Sequence, residues 1–219
     1  MKKEYERRVY RGVVLLAAFV AWTVAVKVVD LRAIGPQGSV VGFGGLNGFL
    51  HDLTGVHLSL YVITDWLGLV PFGIALGFTL LGLSQWVRRK SLFKVDRSLL
   101  ILGGFYLVVI GAYALFEAFV VNYRPVLIQG CLEASYPSST TMLVLCVMPT
   151  AMMEINARIG HPALRRGISA SILGFTLFMV VGRLLSGVHW LTDIVGGGLL
   201  SGGLVELYRA FGGVECEHR

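Results

Sequence analysis

The stretch Gly182-Arg183-Leu184-Leu185-Ser186-Gly187-Val188-His189-Trp190-Leu191-Thr192-Asp193 gathers a cation, an imidazole and a carboxylate at the edge of an apolar run. Burying such groups unpaired is costly, so in a hydrophobic chain they mark a functional site. His189 and Asp193 are four residues apart, which on a helix puts them on one face, where the carboxylate can hold the imidazole in one tautomer and stabilise its charged form. A histidine nucleophile is prepared in this way. The structural alternative is a His and Asp pair that merely caps the last apolar segment.

Two further groups share that chemistry. Arg124 precedes Pro125, and Tyr136-Pro137-Ser138-Ser139-Thr140 leads into another apolar run. Arginine presents a planar fork of donors that matches phosphate oxygens, and a helix start adds free backbone amides and a favourable dipole. Arg124, Arg183, Ser138, Ser139 and Thr140 together would hold a phosphoryl group in front of His189, with Asp193 behind it.

The elements that position these residues read as membrane spans. The chain has 219 residues, 55% hydrophobic and only 15% charged, with a mean hydropathy of +0.73. Its apolar runs approach the roughly 20 residues that cross a bilayer. Six spans are expected, at about 12–29, 59–83, 98–120, 138–155, 168–186 and 190–211. Backbone polar groups in hydrocarbon must pair internally, and the alternation of a spanning strand is absent. The expected fold is therefore all-α: a polytopic membrane protein, a six-transmembrane-helix bundle forming a single membrane domain over 1–219. The first run begins near Gly12, is long enough to span and is followed by no small-residue cleavage site, so it is expected to stay in the protein.

Basic residues set the orientation, because short cytoplasmic loops carry the Lys and Arg excess. Segments 1–12, 84–97, 156–167 and the tail hold fifteen of the nineteen, leaving Lys27, Arg32, Arg124 and Arg183. Six spans with both termini cytoplasmic satisfy this split and put the candidate site on the extracytoplasmic face. The net charge of +6 then reflects topology and contact with anionic lipids at the cytoplasmic face, with no nucleic-acid partner implied. The lack of long soluble loops suits a bacterial inner membrane. No span carries the repeated polar face of a pore.

Other features read as structural. Cys131, Cys146 and Cys216 fall outside, in the fourth span and in the cytoplasmic tail, so they form no intramolecular disulfide and match no metal site. Pro71 and Pro149 are expected to kink spans two and four, and Gly198-x-x-x-Gly202 to let two helices approach closely within the bundle. Residues 30–57, rich in glycine yet apolar, read equally as an interfacial or re-entrant segment and as a surface loop. Lys27 and Arg32 are expected to snorkel to lipid headgroups. His51, Asp52, His57 and Asp65 are assigned no chemical role, and His161 and His218 are expected to be solvated.

On these residues the chain resembles the type 2 phosphatidic acid phosphatase family, membrane branch, whose motifs are K-x6-R-P, P-S-G-H and S-R-x5-H-x3-D. The third is matched by Gly182-Arg183, His189 and Asp193, half of the first by Arg124-Pro125, and the second in part by Pro137-Ser138-Ser139-Thr140, over about residues 98–211. The resemblance implies a six-helix core with an extracytoplasmic site, in which His189 attacks phosphorus to form a phosphohistidine and Asp193 supports it. Arg124, Arg183 and Ser138 with nearby amides would hold the equatorial oxygens. No metal or cofactor is needed in that scheme.

The chain departs from the family at three positions: Glu117 stands where the lysine would be, Gly182 where the serine would be and Thr140 where the second histidine would be. In the family that histidine protonates the leaving group. Without it a leaving phosphate is favoured over a leaving alkoxide, which points to a lipid diphosphate, polyprenyl diphosphate first. The alternatives are a phosphotransferase on the same site, or a non-catalytic phospholipid-binding or transport protein that keeps the anion pocket. Glu133 or Glu117 could supply the proton if burial raised its pKa, against the pull of two arginines.

Overall fold

The computed structural model describes residues 2–212; Cys216, His218 and Arg219, assigned above to the tail, lie outside them. Among the described residues there are eight α-helices: α1 (Lys2–Val28), α2 (Gly44–Thr54), α3 (Leu58–Leu67), α4 (Leu69–Arg89), α5 (Arg97–Ala118), α6 (Ser139–Arg158), α7 (Pro162–Leu185) and α8 (Leu191–Phe211). Five segments are long and apolar enough to cross a membrane: α1, α3 with α4 over Leu58–Arg89, α5, α6 and α7. The last expected span, α8, is full length but diluted by five glycines, Asp193 and Glu206. It is also heavily buried, with Gly196, Gly197, Leu200, Ser201, Gly203, Val205 and Tyr208 all inside. A helix surrounded by protein needs small residues for packing more than it needs apolar ones for lipid.

Several expected boundaries are corrected. The first helix starts at Lys2, ahead of the apolar run that begins near residue 12. The second span is two helices, broken at Gly68, with Pro71 in the first turn of α4; a proline there lacks only an amide that would have no intrahelical partner anyway. Helix α6 continues through Pro149. Within 30–57 lies a helix, α2, in spite of its glycines. Its Asn47 is fully inside the protein and donates to the Gly42 carbonyl (2.8 Å) and the Thr192 hydroxyl (3.0 Å). Leu46, Phe49 and Leu53 face outward.

Of the expected pair, Gly202 faces α1, where a β-carbon would stand 3.4 Å from Leu15 Cδ1, but the closest approach is made by other glycines. A β-carbon on Gly198 would meet nothing within 4 Å, whereas one on Gly203 would stand 2.7 Å from Leu16 Cγ and one on Gly12 2.8 Å from Leu207 Cδ2. Gly12 and Gly203 thus let α1 lie along α8. At one end Arg8 donates to the Arg209 carbonyl (3.1 Å), and at the other Trp22 Nε1 donates to the Thr192 carbonyl (3.1 Å). Helix α6 packs on the opposite side of α8. Glu154, fully buried near its end, accepts from Tyr208 (2.8 Å), Ser98 (3.1 Å) and Arg158, joining α5, α6 and α8. The chemistry-bearing residues all collect at the other end of the bundle.

Candidate active site

Three connections converge there: the segment between α5 and α6, the N-terminus of α6, and the turn between α7 and α8. The first folds into a hairpin. Gln129 and Gly130 both have positive φ, the geometry of a two-residue hairpin turn. Ile128 and Cys131 exchange backbone hydrogen bonds across it, and the Arg124 amide donates to the Glu133 carbonyl at 3.0 Å. Arg124 and Glu133 are therefore cross-strand neighbours, and Nε of the arginine lies 3.1 Å from a carboxylate oxygen of the glutamate. The contact has ion-pair distance without hydrogen-bond alignment, since Arg124 Nε and Nη1 are both buried with no hydrogen-bond partner.

The α7–α8 turn differs from the same-helix arrangement expected for His189 and Asp193. Helix α7 ends at Leu185 and α8 starts at Leu191, so His189 lies outside both. Gly187 takes a positive φ here, and a β-carbon on it would collide with the Gly55 carbonyl. Asp193 occupies the third position of α8, where Oδ2 accepts from the Trp190 amide at 2.9 Å. The same oxygen accepts from the Ser135 hydroxyl in a very short contact. Asp193 Oδ2 is 3.7 Å from His189 Nδ1, too far for a hydrogen bond. His189 Nδ1 and Asp193 Oδ1 are buried without partners.

On the other side of the imidazole, Arg183 Nη2 lies 3.5 Å from Nε2. A guanidinium only donates, so this contact favours the tautomer with the lone pair on Nε2 and the proton on Nδ1, facing Asp193. Burial lowers the His189 pKa to about 4; Asp193 pulls it up, while Arg124 and Arg183 push it further down. The ring is therefore neutral at neutral pH, with its Nε2 lone pair facing Arg183. Arg183 is itself almost wholly buried. It is held from α3 by Tyr61, whose ring centroid is 5.1 Å away, by the Thr64 hydroxyl at 3.4 Å and by Asp65 at 3.7 Å.

Arg124, Ser139 and His189 line one cavity of about 280 Å³, together with Glu117, Glu133 and Ser135. Tyr113, Phe116 and Met142 supply its apolar wall. Of the other expected phosphate-binding residues, Arg183 stands behind His189. Ser138 is fully buried and caps α6, its hydroxyl accepting from the Thr141 amide at 3.5 Å. Thr140 is half-buried in the first turn of α6 and outside the cavity wall. Among the described residues no group of three or more His, Cys, Asp or Glu side chains is arranged to hold a metal ion.

Sequence reasoning missed Ser135, Tyr136 and the α3 residues around Arg183. The Tyr136 hydroxyl meets Thr23 at 2.7 Å, and its ring lies against Gly196, where a β-carbon would stand 2.6 Å away. Trp190 Nε1 donates to the Tyr123 carbonyl at 2.8 Å, which ties the residue before Arg124 to the residue after His189. Only Asp65 carried a readable signal, being an acid inside an apolar run.

No family model matches the chain, and no curated protein matches it. Among solved structures it is similar to the crystal structure of a transmembrane PAP2 type phosphatidylglycerolphosphate phosphatase from Bacillus subtilis, with 19% identity and a TM-score of 0.52 over 92% of this chain and 94% of that one. The chain is thus an all-α protein with several helices able to cross a membrane, and it shares the fold of a transmembrane PAP2 phosphatase.

Proposed function

We propose that this protein is an integral membrane lipid phosphatase whose site faces the extracytoplasmic side, with His189 as nucleophile and a phosphohistidine intermediate. One observation carries the reading: His189 and Arg124 share the wall of a single cavity, with Arg183 directed at the imidazole Nε2. The Bacillus subtilis neighbour, a phosphatidylglycerolphosphate phosphatase, has an activity of the same class. Nε2, once Arg183 leaves its 3.5 Å contact, attacks phosphorus as the bond to the leaving oxygen breaks; Arg124 and Ser139 meet the equatorial oxygens from the cavity wall, the displaced Arg183 adds charge balance, and the buried Ser138 caps the α6 start. Water then cleaves the P–N bond and frees His189 and inorganic phosphate. Asp193 supports the Nδ1 proton after a small closure of the 3.7 Å gap.

Thr140 cannot serve as a leaving-group acid at neutral pH, which bears on the substrate. An alkoxide is about as basic as hydroxide, with water's pKa about 15.7 as guide, whereas phosphate has a second pKa of about 6. The difference of roughly 10 units corresponds to about 13 kcal/mol in leaving-group basicity, a fraction of which enters the barrier. A lipid diphosphate, polyprenyl diphosphate first, therefore suits this site better than a monoester. Phosphate release from a panel of reconstituted lipid phosphates, with His189→Ala alongside, tests both parts. Faster turnover of phosphatidic acid than of polyprenyl diphosphate would reject the substrate assignment, and activity retained in His189→Ala would reject the mechanism. Release of phosphate to a second lipid in place of water would identify a phosphotransferase on the same site.

A non-catalytic anion pocket is the second reading, favoured by the capture of Asp193 Oδ2 by Ser135 and Trp190 instead of His189. Acid-free quenching during turnover separates the two, because a binder accumulates no phosphohistidine.

A further inference from the structure

The Asp193 carboxylate is shared among three claimants. Trp190 donates its amide and Ser135 its hydroxyl to Oδ2, while His189 Nδ1 waits at 3.7 Å. The Trp190 bond is the helix cap of α8 and is fixed by the backbone. The Ser135 bond is different, because it comes from a separate element. Ser135 ends the hairpin that carries Arg124, its amide donates to the Asn122 carbonyl at 3.0 Å, and it lines the same cavity as His189.

We infer that Ser135 is a positioning residue that holds Asp193 Oδ2 off the His189 imidazole and thereby keeps the nucleophile neutral. The inference rests on reading His189 as the nucleophile. A hydroxyl donating to a carboxylate oxygen withdraws part of its charge and fixes its rotation. With that donor in place, the imidazole feels a partly neutralised carboxylate. With it removed, Oδ2 keeps its Trp190 bond but regains its full charge, and a small shift brings it to Nδ1, where the imidazolium gains a stronger partner. The charged groups around His189 are Asp193 from α8, Arg183 from α7, Arg124 and Glu133 from the hairpin and Glu117 from α5, the last two across the shared cavity, and the two arginines oppose protonation. Asp193 is the carboxylate nearest the ring and favours protonation, so a device that tempers Asp193 has direct leverage on it.

The test is the titration of His189 in purified full-length protein, followed by NMR of 15N-labelled histidine and assigned by its loss in His189→Ala. Ser135→Ala is expected to move the His189 midpoint upward by about one pH unit, the size of a lost hydrogen bond to a charged group. Ser135→Cys, which keeps the volume but donates weakly, moves it the same way by less, and Ser135→Thr restores the original value. The acid limb of kcat/KM follows the same order. A midpoint that stays put or falls in Ser135→Ala overturns the inference, and if that variant does not fold, Ser135→Cys decides by the same criterion. The NMR readout needs no turnover, so the inference can fail or stand independently of the proposed phosphatase activity.

Discussion

A β-carbon on Gly182 would stand 2.9 Å from the methyl Cγ2 of Thr64. Position 182 is where the resembled family carries serine, and the space that side chain would need is filled here from α3. The same threonine gives its hydroxyl to the Leu60 carbonyl (2.9 Å) and contacts Arg183 Nη1 at 3.4 Å. The missing serine and the seating of Arg183 are therefore one arrangement, in which α3 approaches α7 closely.

Gly182→Ser is expected to destabilise the protein by about 1–3 kcal/mol, the usual cost of overpacking. Thr64→Ser removes the methyl and keeps the hydroxyl, so the double variant should recover most of that loss. A thermal-melt cycle over the four proteins reads the coupling, and strict additivity would disprove the clash.

Helix approach at Gly203 predicts a contrast along α8. Gly203→Ala should cost about 1–3 kcal/mol through the Leu16 contact. Gly198→Ala, facing open space, should be neutral or stabilising by about 0.5–1 kcal/mol from reduced backbone entropy. Equal melting temperatures for the two variants would contradict the α1–α8 packing described.

The lowered His189 pKa sets a pH window. With its folded value near 4 and an unfolded value near 6.5, the neutral ring is favoured by folding. Its contribution to stability is therefore complete above about pH 6.5 and declines as pH falls toward 4. The acid limb of kcat/KM should lie well below pH 6.5, and His189→Gln should flatten the loss of melting temperature between pH 6.5 and 4. An acid limb at 6.5 would show that the ring is not held in the environment described.

Arg124 offers a planar fork, of which Nη1 is buried without a partner. Arg124→Lys keeps the charge and loses the fork, so kcat/KM should fall by about 10- to 100-fold, the worth of one charge-assisted hydrogen bond of 1.5–3 kcal/mol. Glu133→Gln acts in the opposite direction: freeing Arg124 from its carboxylate should tighten inhibition by inorganic phosphate about threefold, in the range of a partly exposed ion pair. Weaker phosphate inhibition in Glu133→Gln would mean that the glutamate supports the arginine's pose and does not compete for it.

The amino-acid sequence by itself determined the class of fold and supplied the cast of the proposed site. Apolar runs of spanning length can only be helices in hydrocarbon, and costly ionisable groups at their edges, Arg183, His189, Asp193 and Arg124, stood out against that background. Tertiary structure decided how those groups meet. Spacing alone put His189 and Asp193 on one helix, but Asp193 caps α8 while His189 sits in the preceding turn, because Gly187 bends the chain against Gly55. The partners of Asp193 and Arg183 come from Ser135 and from α3, far away along the chain, and no local pattern records such contacts. The α1–α8 contact escaped for the same reason: which glycines touch depends on how the helices are rotated, and that is settled by the packing of the whole bundle.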